Sequence, residues 1–547
     1  MNNKILIYQV FTRLYGNRNS NRKENGTIEE NGSGKFKDFN QSVLKHIREM
    51  GFSHIWFTGV IRHATQTDYT KYGIPRQNAA VVKGKAGSPY AICDYYDVDP
   101  DLAVNVNKRM EEFEALIARV HRAGLKVIMD FVPNHVARQY HSIAKPIGGV
   151  KDLGDGDNQS EGFSPQNNFY YCPGCKFEPQ FDVQDYDEYP AKSTGNDHFD
   201  PHPGVNDWYE TVKLNYGVDY YTGQGHFDPI PDTWNKMTDI LLYWTSKGID
   251  GFRCDMAEMV PAAFWAWATD KVKYHNPDII FIGEVYNPAE YRNYINAGFD
   301  YLYDKVGMYD TMRNVICDHG SSSFITGAWQ SVDDIGRHML YFLENHDEQR
   351  VASDFFAGSA RKGLPGLVAS VLMQSNPFML YAGEEYGERG MDKEGFSGQD
   401  GRTTIFDYWS IDTLCRAAEQ KLTDEEKYIY DVHEKVLRIA RKEKAIDGAF
   451  YDLMYVNQWS ERFDNNRQYA FLRKKDKDTL LIVCNFSDKE VDIDVKISGH
   501  AVNFLSIAEK KYKAVDLLTG DVATFQIKGD DSVAMTVAPY SARVWKF

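Results

Sequence analysis

Four carboxyls each close a strand-like run: Val127-Ile-Met-Asp130, Gly251-Phe-Arg-Cys-Asp255, Ile279-Ile-Phe-Ile-Gly-Glu284 and Leu340-Tyr-Phe-Leu-Glu-Asn-His346-Asp347. An acid delivered to the tip of such a run is suited to proton transfer or nucleophilic attack. Arg253 and Asp255 are two residues apart, so in a strand both side chains point to one face. A guanidinium there holds the carboxylate ionised and fixes its direction, as a carboxylate nucleophile requires. The same pair also suits a buried ion pair with a purely structural job. The repetition decides for chemistry, because Asn134-His135 follows the first run and His346 precedes Asp347 in the last.

The elements that carry these tips alternate. Strand patterns at 5–11, 54–60, 299–303 and 377–381 join the four runs above. Amphipathic helical patterns lie between them at 39–50, 107–123, 233–247, 261–274, 287–297, 359–373 and 425–442, with Gly51, Gly124 and Gly248 placed as stops. The order predicts an α/β fold, a (β/α)8 TIM barrel, in which the C-terminal strand ends converge on one pocket. Between residues 137 and 233 the alternation disappears into a segment rich in Gly, Pro, Asn, Asp and Tyr, too long for a bare loop, so it reads as an inserted domain after the third strand. From about residue 446 the period switches to two, which predicts a C-terminal antiparallel β-sandwich. The expected domains are thus a barrel at 1–136 and 234–445, an insertion at 137–233 and the sandwich at 446–547.

Taken together and in order, the four runs resemble the four signature regions of the α-amylase family, glycoside hydrolase family 13. The resemblance implies Asp255 as nucleophile, Glu284 as general acid/base and Asp347 as the third carboxylate, with Arg253, His135 and His346 holding the sugar. It further implies that Tyr90, in Tyr90-Ala-Ile-Cys-Asp94, is the ring beneath the sugar, and that Arg402 reaches the next subsite. The insertion then corresponds to domain B. Thr211-Val-Lys213-Leu-Asn215 resembles the family's fifth region in its neopullulanase and cyclomaltodextrinase form, where Lys replaces the Asp of Ca²⁺-binding members. An ammonium is a poor neighbour for a bound cation and replaces its charge, so no Ca²⁺ is expected at that position, although Asn134 remains available as a ligand.

A chain of 547 residues with 43% hydrophobic residues and 35 Tyr, 31 Phe and 10 Trp supports a large core and leaves rings for a sugar cleft. A formal net charge of −16 argues against nucleic acid as partner. No apolar run is long enough to cross a membrane and no cleavage site follows the N-terminal apolar segment, so the expectation is a cytoplasmic protein without membrane contact, or a periplasmic or secreted one if a signal peptide has been removed. Seven scattered cysteines are not a disulfide framework. Cys172-Pro-Gly-Cys175 has the spacing of a redox pair or half a zinc site, with His198, His202 and His226 in the same insertion. The expected activity is retaining hydrolysis of α-1,4-glucosidic bonds in starch-derived glucans or maltooligosaccharides, without cofactor. A glucanotransferase, in which a sugar hydroxyl replaces water, and a catalytically silent glycan-binding barrel are the alternatives. Oligomeric state is not readable from the sequence.

Overall fold

The computed structural model describes residues 4–146, 151–395 and 398–547, so residues 1–3, 147–150 and 396–397 of the expected domains lie outside the described residues. Eight parallel strands close into a barrel: β1 (Leu6–Phe11), β2 (His54–Thr58), β3 (Lys126–Phe131), β4 (Gly251–Cys254), β5 (Ile280–Gly283), β6 (Tyr301–Tyr303), β7 (Met339–Phe342) and β8 (Phe378–Tyr381). Each strand pairs with its sequence neighbour and β8 closes on β1, with Leu6 opposite Phe378. Phe252 of β4 packs on Phe131 and Phe281 of its neighbours, outside the sheet, and Trp265 from the helix Ala262–His275 also packs on Phe131. Burying each such ring is worth roughly 1.5–3 kcal/mol. The alternation that sends Phe252 outward sends Arg253 inward, directly opposite Asp130 of β3.

The helices begin and end where local chemistry dictates. Asn40 accepts the N–H groups of Ser42 and Val43 and so caps the helix Gln41–Met50, which Gly51 ends in a left-handed conformation (φ 114°). Thr423 and Glu426 form a reciprocal capping box on the helix Asp424–Lys442.

Among the described residues the insertion has only two- and three-residue strands, and one of them ties it to the barrel. His135–Ala137 pairs antiparallel with Thr211–Lys213, which sets His135 opposite Lys213. Inside the insertion Arg138 is buried, donating to Glu188 (2.8 Å) and Thr194 (2.7 Å) and lying over the Phe177 ring. The C-terminal part has a six-stranded antiparallel sheet. Its strands are β9 (Ala449–Asp452), β10 (Gln468–Lys475), β11 (Asp478–Asn485), β13 (Lys510–Asp516), β14 (Val522–Ile527) and β16 (Ser541–Lys546), in the order β9-β10-β11-β16-β13-β14. The pair β12 (Val491–Lys496) and β15 (Ser532–Val537) lies against it. No helix among the described residues is long and apolar enough to cross a membrane.

Candidate active site

Asp255, Glu284 and Asp347 meet at the C-terminal mouth of the barrel, in a cleft of about 480 Å³ that Tyr90, His135, Trp208, Tyr286 and Phe406 also line. Arg253 is fully buried beneath them. Its Nη1 donates to Asp255 Oδ1 (2.7 Å) and to Asp130 Oδ1 (3.3 Å), and its Nη2 donates to Glu284 Oε2 (2.6 Å). Asp347 Oδ2 lies 3.9 Å from the same Nη2. The rings of Trp56, Tyr90 and Tyr303 surround the guanidinium at 5.3–5.6 Å from their centroids. One fixed fork therefore spaces two carboxyls side by side, a geometry compatible with the roughly 5–5.5 Å separation of a retaining glycosidase pair.

Four carboxyls facing one buried cation cannot all ionise at their usual pH. Burial pushes Asp255 up to about 7 despite Arg253, and the Glu284 and Asp130 charges add to the rise. Asp347 is raised as well, by burial and then by Glu284, and burial lifts Asp130 to about 6. The expectation that Arg253 simply holds Asp255 ionised is corrected here: the guanidinium is shared, and desolvation outweighs it.

Glu284 has a donor on each oxygen. Oε2 accepts the Met256 N–H (2.9 Å) besides Arg253, and Oε1 accepts the Tyr286 hydroxyl. Met256 takes a left-handed backbone conformation (φ 43°) to present that N–H.

His346 lies behind the cleft wall, its side chain fully buried, and like Arg253 it is not among the lining residues. Gln9 Nε2 donates to its Nδ1 (2.7 Å), which leaves the proton on Nε2, facing the Tyr90 hydroxyl and Asp347 Oδ2 (3.0 Å). Burial and then Arg253 drive its pKa far down, so the ring is neutral. His135 is held neutral in the same way, at about 3, by burial and then Lys213, and packs 5.2 Å from the Trp208 ring. Arg402 is placed differently. It donates to the Asp347 backbone oxygen (2.7 Å) and to Asp400 (3.1 Å) and is not among the residues lining the cleft.

Lys213 is buried with its ammonium on Asn134 Oδ1, 2.6 Å from Asp197 Oδ1 and 3.4 Å from the Met259 carbonyl. Those are hard oxygen donors of the kind a calcium ion takes, but the position already holds a positive charge. The residues present do not fit a divalent cation there. The CxxC residues and the insertion's histidines are not gathered either. Cys172 Sγ faces the Phe199 carbonyl, His198 faces Asp200, and His202 Nδ1 lies 2.8 Å from the Glu178 carbonyl. Among the described residues no three His, Cys, Asp or Glu side chains form a metal-sized group.

Sequence reasoning missed Gln9, Trp56, Trp208 and Tyr286. Gln9 had a signal, a lone amide inside the apolar run Leu6–Phe11. Trp208 stands in the aperiodic insertion and had none.

The family model "Alpha amylase, catalytic domain" matches residues 29–448, and "Maltogenic Amylase, C-terminal domain" matches residues 462–544. The chain is 22% identical over 468 residues to the α-amylase MalA of Haloarcula japonica, covering 85% of this chain and 54% of that protein. It is 22% identical over 519 residues to a cyclomaltodextrinase of a Bacillus species, covering 92% and 74%. The solved noncanonic maltogenic α-amylase AmyB of Thermotoga neapolitana superposes with a TM-score of 0.64 at 20% identity, over 99% of this chain and 98% of that one. With the catalytic-domain match spanning most of its length, the chain belongs to the α-amylase family of glycoside hydrolases.

Proposed function

We propose that the protein hydrolyses α-1,4-glucosidic bonds of maltooligosaccharides or starch-derived glucans with retention of configuration. The observation that carries this reading is the seating of Asp255 and Glu284 on the two terminal nitrogens of one guanidinium, with Asp347 facing them. Asp255 attacks the anomeric carbon as Glu284 gives its proton to the leaving oxygen. The β-glycosyl–enzyme then yields to water that Glu284 deprotonates, and the product returns with the α configuration. Asp347 binds hydroxyls of the distorted sugar above Tyr90, His346 holds Asp347 and Tyr90 from behind, and His135 closes the side towards the insertion. Both imidazoles act as neutral hydrogen-bond partners, so neither adds positive charge against the developing oxocarbenium ion. Arg402 acts through the Asp347 backbone. Lys213 stands in for a cation, and the reaction runs without Ca²⁺ at that position.

Incubation with maltoheptaose, followed by chromatography of wild type and Glu284→Gln, tests the reading. Shorter sugars from the wild type and almost none from the variant are expected, since losing the general acid costs roughly 10²–10⁴-fold. Products longer than the substrate indicate the transferase instead. Full activity in Glu284→Gln overturns the acid/base assignment.

A further inference from the structure

Glu258 follows Asp255 by three residues, in the short turn Ala257–Met259. Its carboxylate turns back into the protein. Oε2 accepts the backbone N–H groups of Tyr286 (2.9 Å) and Asn287 (3.0 Å), while the Glu258 N–H donates to the Glu284 carbonyl (3.4 Å). The loop that leaves β4 is thus bound to the loop that leaves β5 by two hydrogen bonds to an ionisable acceptor, the stronger kind. The clamped segment carries the Tyr286 ring into the cleft, where its hydroxyl donates to Glu284 Oε1. Burial and the Glu284 charge raise the Tyr286 pKa, so the phenol keeps its proton.

We propose that Glu258 is a positioning residue for proton transfer: by holding the Tyr286–Asn287 backbone it keeps the Tyr286 hydroxyl on Glu284, and that hydroxyl sets how readily Glu284 releases and regains its proton. The proposal rests on Glu284 being the acid/base. A phenol donates to a carboxylate and, after rotation, accepts from the carboxylic acid, but the bond to the charged form is the stronger one. Tyr286 therefore favours ionised Glu284, which helps the water-activating half of the cycle and restrains the proton-donating half. The other groups facing Glu284 are Arg253 and Asp255 at β4, Tyr303 on β6 and Asp347 beyond β7. Those facing Glu258 are Tyr291 and Tyr294 of the helix after β5.

The test is the pH profile of kcat/KM on maltotriose for the wild type, Tyr286→Phe, Glu258→Gln, Glu258→Ala and Glu258→Ala/Tyr286→Phe, with thermal melts as a folding control. Tyr286→Phe is expected to move the basic limb up by roughly 0.5–1 pH unit, because the ionised acid loses a donor. Glu258→Ala moves it in the same direction. Glu258→Gln, which keeps an acceptor oxygen, moves it less, and the double variant moves it no further than Tyr286→Phe alone. Removing a nearby negative charge would by itself lower the limb, so direction separates a clamp from a charge effect. A basic limb unmoved in Tyr286→Phe, with only KM raised, overturns the proposal, as does a limb that falls in Glu258→Ala. If Glu258→Ala fails to fold, Tyr286→Phe and Glu258→Gln still decide. A wild type inactive on every maltooligosaccharide overturns the acid/base reading as well, whereas an active enzyme with unmoved limbs overturns this proposal alone.

Discussion

Replacing Lys213 by Met keeps the aliphatic stem and removes the ammonium on which Asn134, Asp197 and the Met259 carbonyl converge. Asn134 is wholly buried, so its Oδ1 loses a donor that water cannot replace, a cost of about 1–3 kcal/mol. Asp197 keeps 36% of its side chain exposed and is re-solvated, so its lost ion pair counts for at most about 1 kcal/mol. Against these stands relief from desolvating the ammonium, since burial already pulls the Lys213 pKa below the usual lysine value. The balance is a loss of about 2 kcal/mol. A cooperative unit of 150–250 residues shifts by roughly 2–4 °C per kcal/mol and the larger unit of barrel and insertion by about half that, so Tm falls by about 2–4 °C. A second effect reaches the cleft. Asn134 Nδ2 lies 3.1 Å from His135 Nδ1, and freeing the amide loosens the imidazole, at a cost in kcat/KM of about tenfold. Calorimetry and maltoheptaose kinetics, each with and without EDTA, measure both effects. The wild type is expected to be indifferent to the chelator. A wild-type Tm that collapses on chelation and returns with Ca²⁺ refutes the reasoning, and so does a Lys213→Met protein with unchanged Tm.

Three further outcomes follow from the shared guanidinium. The folded pKa of Asp255, about 7, stands above the unfolded value of about 3.9, so between them the native state binds the extra proton and loses stability as pH rises. Asp255→Asn is therefore expected to melt higher than wild type at pH 8 and nearly the same at pH 4, and a lower melting point at pH 8 refutes the sign. Because the nucleophile must be ionised, kcat/KM of the wild type is expected to fall on the acid side with an apparent midpoint near 7 that belongs to the carboxyl cluster as a whole; a flat profile from pH 5 to 8 contradicts it. Arg253→Lys keeps the charge but not the fork that reaches Asp130, Asp255 and Glu284 at once, so kcat/KM on maltoheptaose drops on the order of 10²-fold or more; near-normal turnover shows that the fork does not position the pair.

What the sequence made legible was whatever depends on near neighbours. Four of the eight barrel strands are apolar runs that lead into acids, and helix stops such as Gly51 and Gly248 lie in the left-handed region where a glycine is favoured. The expected helix 107–123 forms as Arg109–Arg122, and the strand expected from residue 279 starts at Ile280, because ends depend on caps and fraying that periodicity does not encode. The insertion resisted reading for a different reason. Its order comes from long-range pairs: His135 against Lys213, and Arg138 against Glu188 and Thr194. No window of adjacent residues contains those partners. Trp208, Lys83 and Phe406 reach the cleft by the same kind of non-local route, from three separate loops.

The pair from which the reading began shows where that boundary runs. Arg253 and Asp255 do share a face and a hydrogen bond, as a spacing of two requires. Their electrostatics, however, is set by Asp130, Glu284 and Asp347, which arrive from other strands and compete for the same guanidinium. A local pair alone implies an ionised aspartate. Four carboxyls on one buried cation imply a cluster that gives up protons reluctantly and one after another. A double displacement needs one charged acid to attack and a second to give a proton, and Asp255 and Glu284, on the two nitrogens of one guanidinium, are the pair placed for it. The motif supplies the groups, and barrel closure, which brings β3, β4, β5 and β7 to one mouth, sets them on one cation.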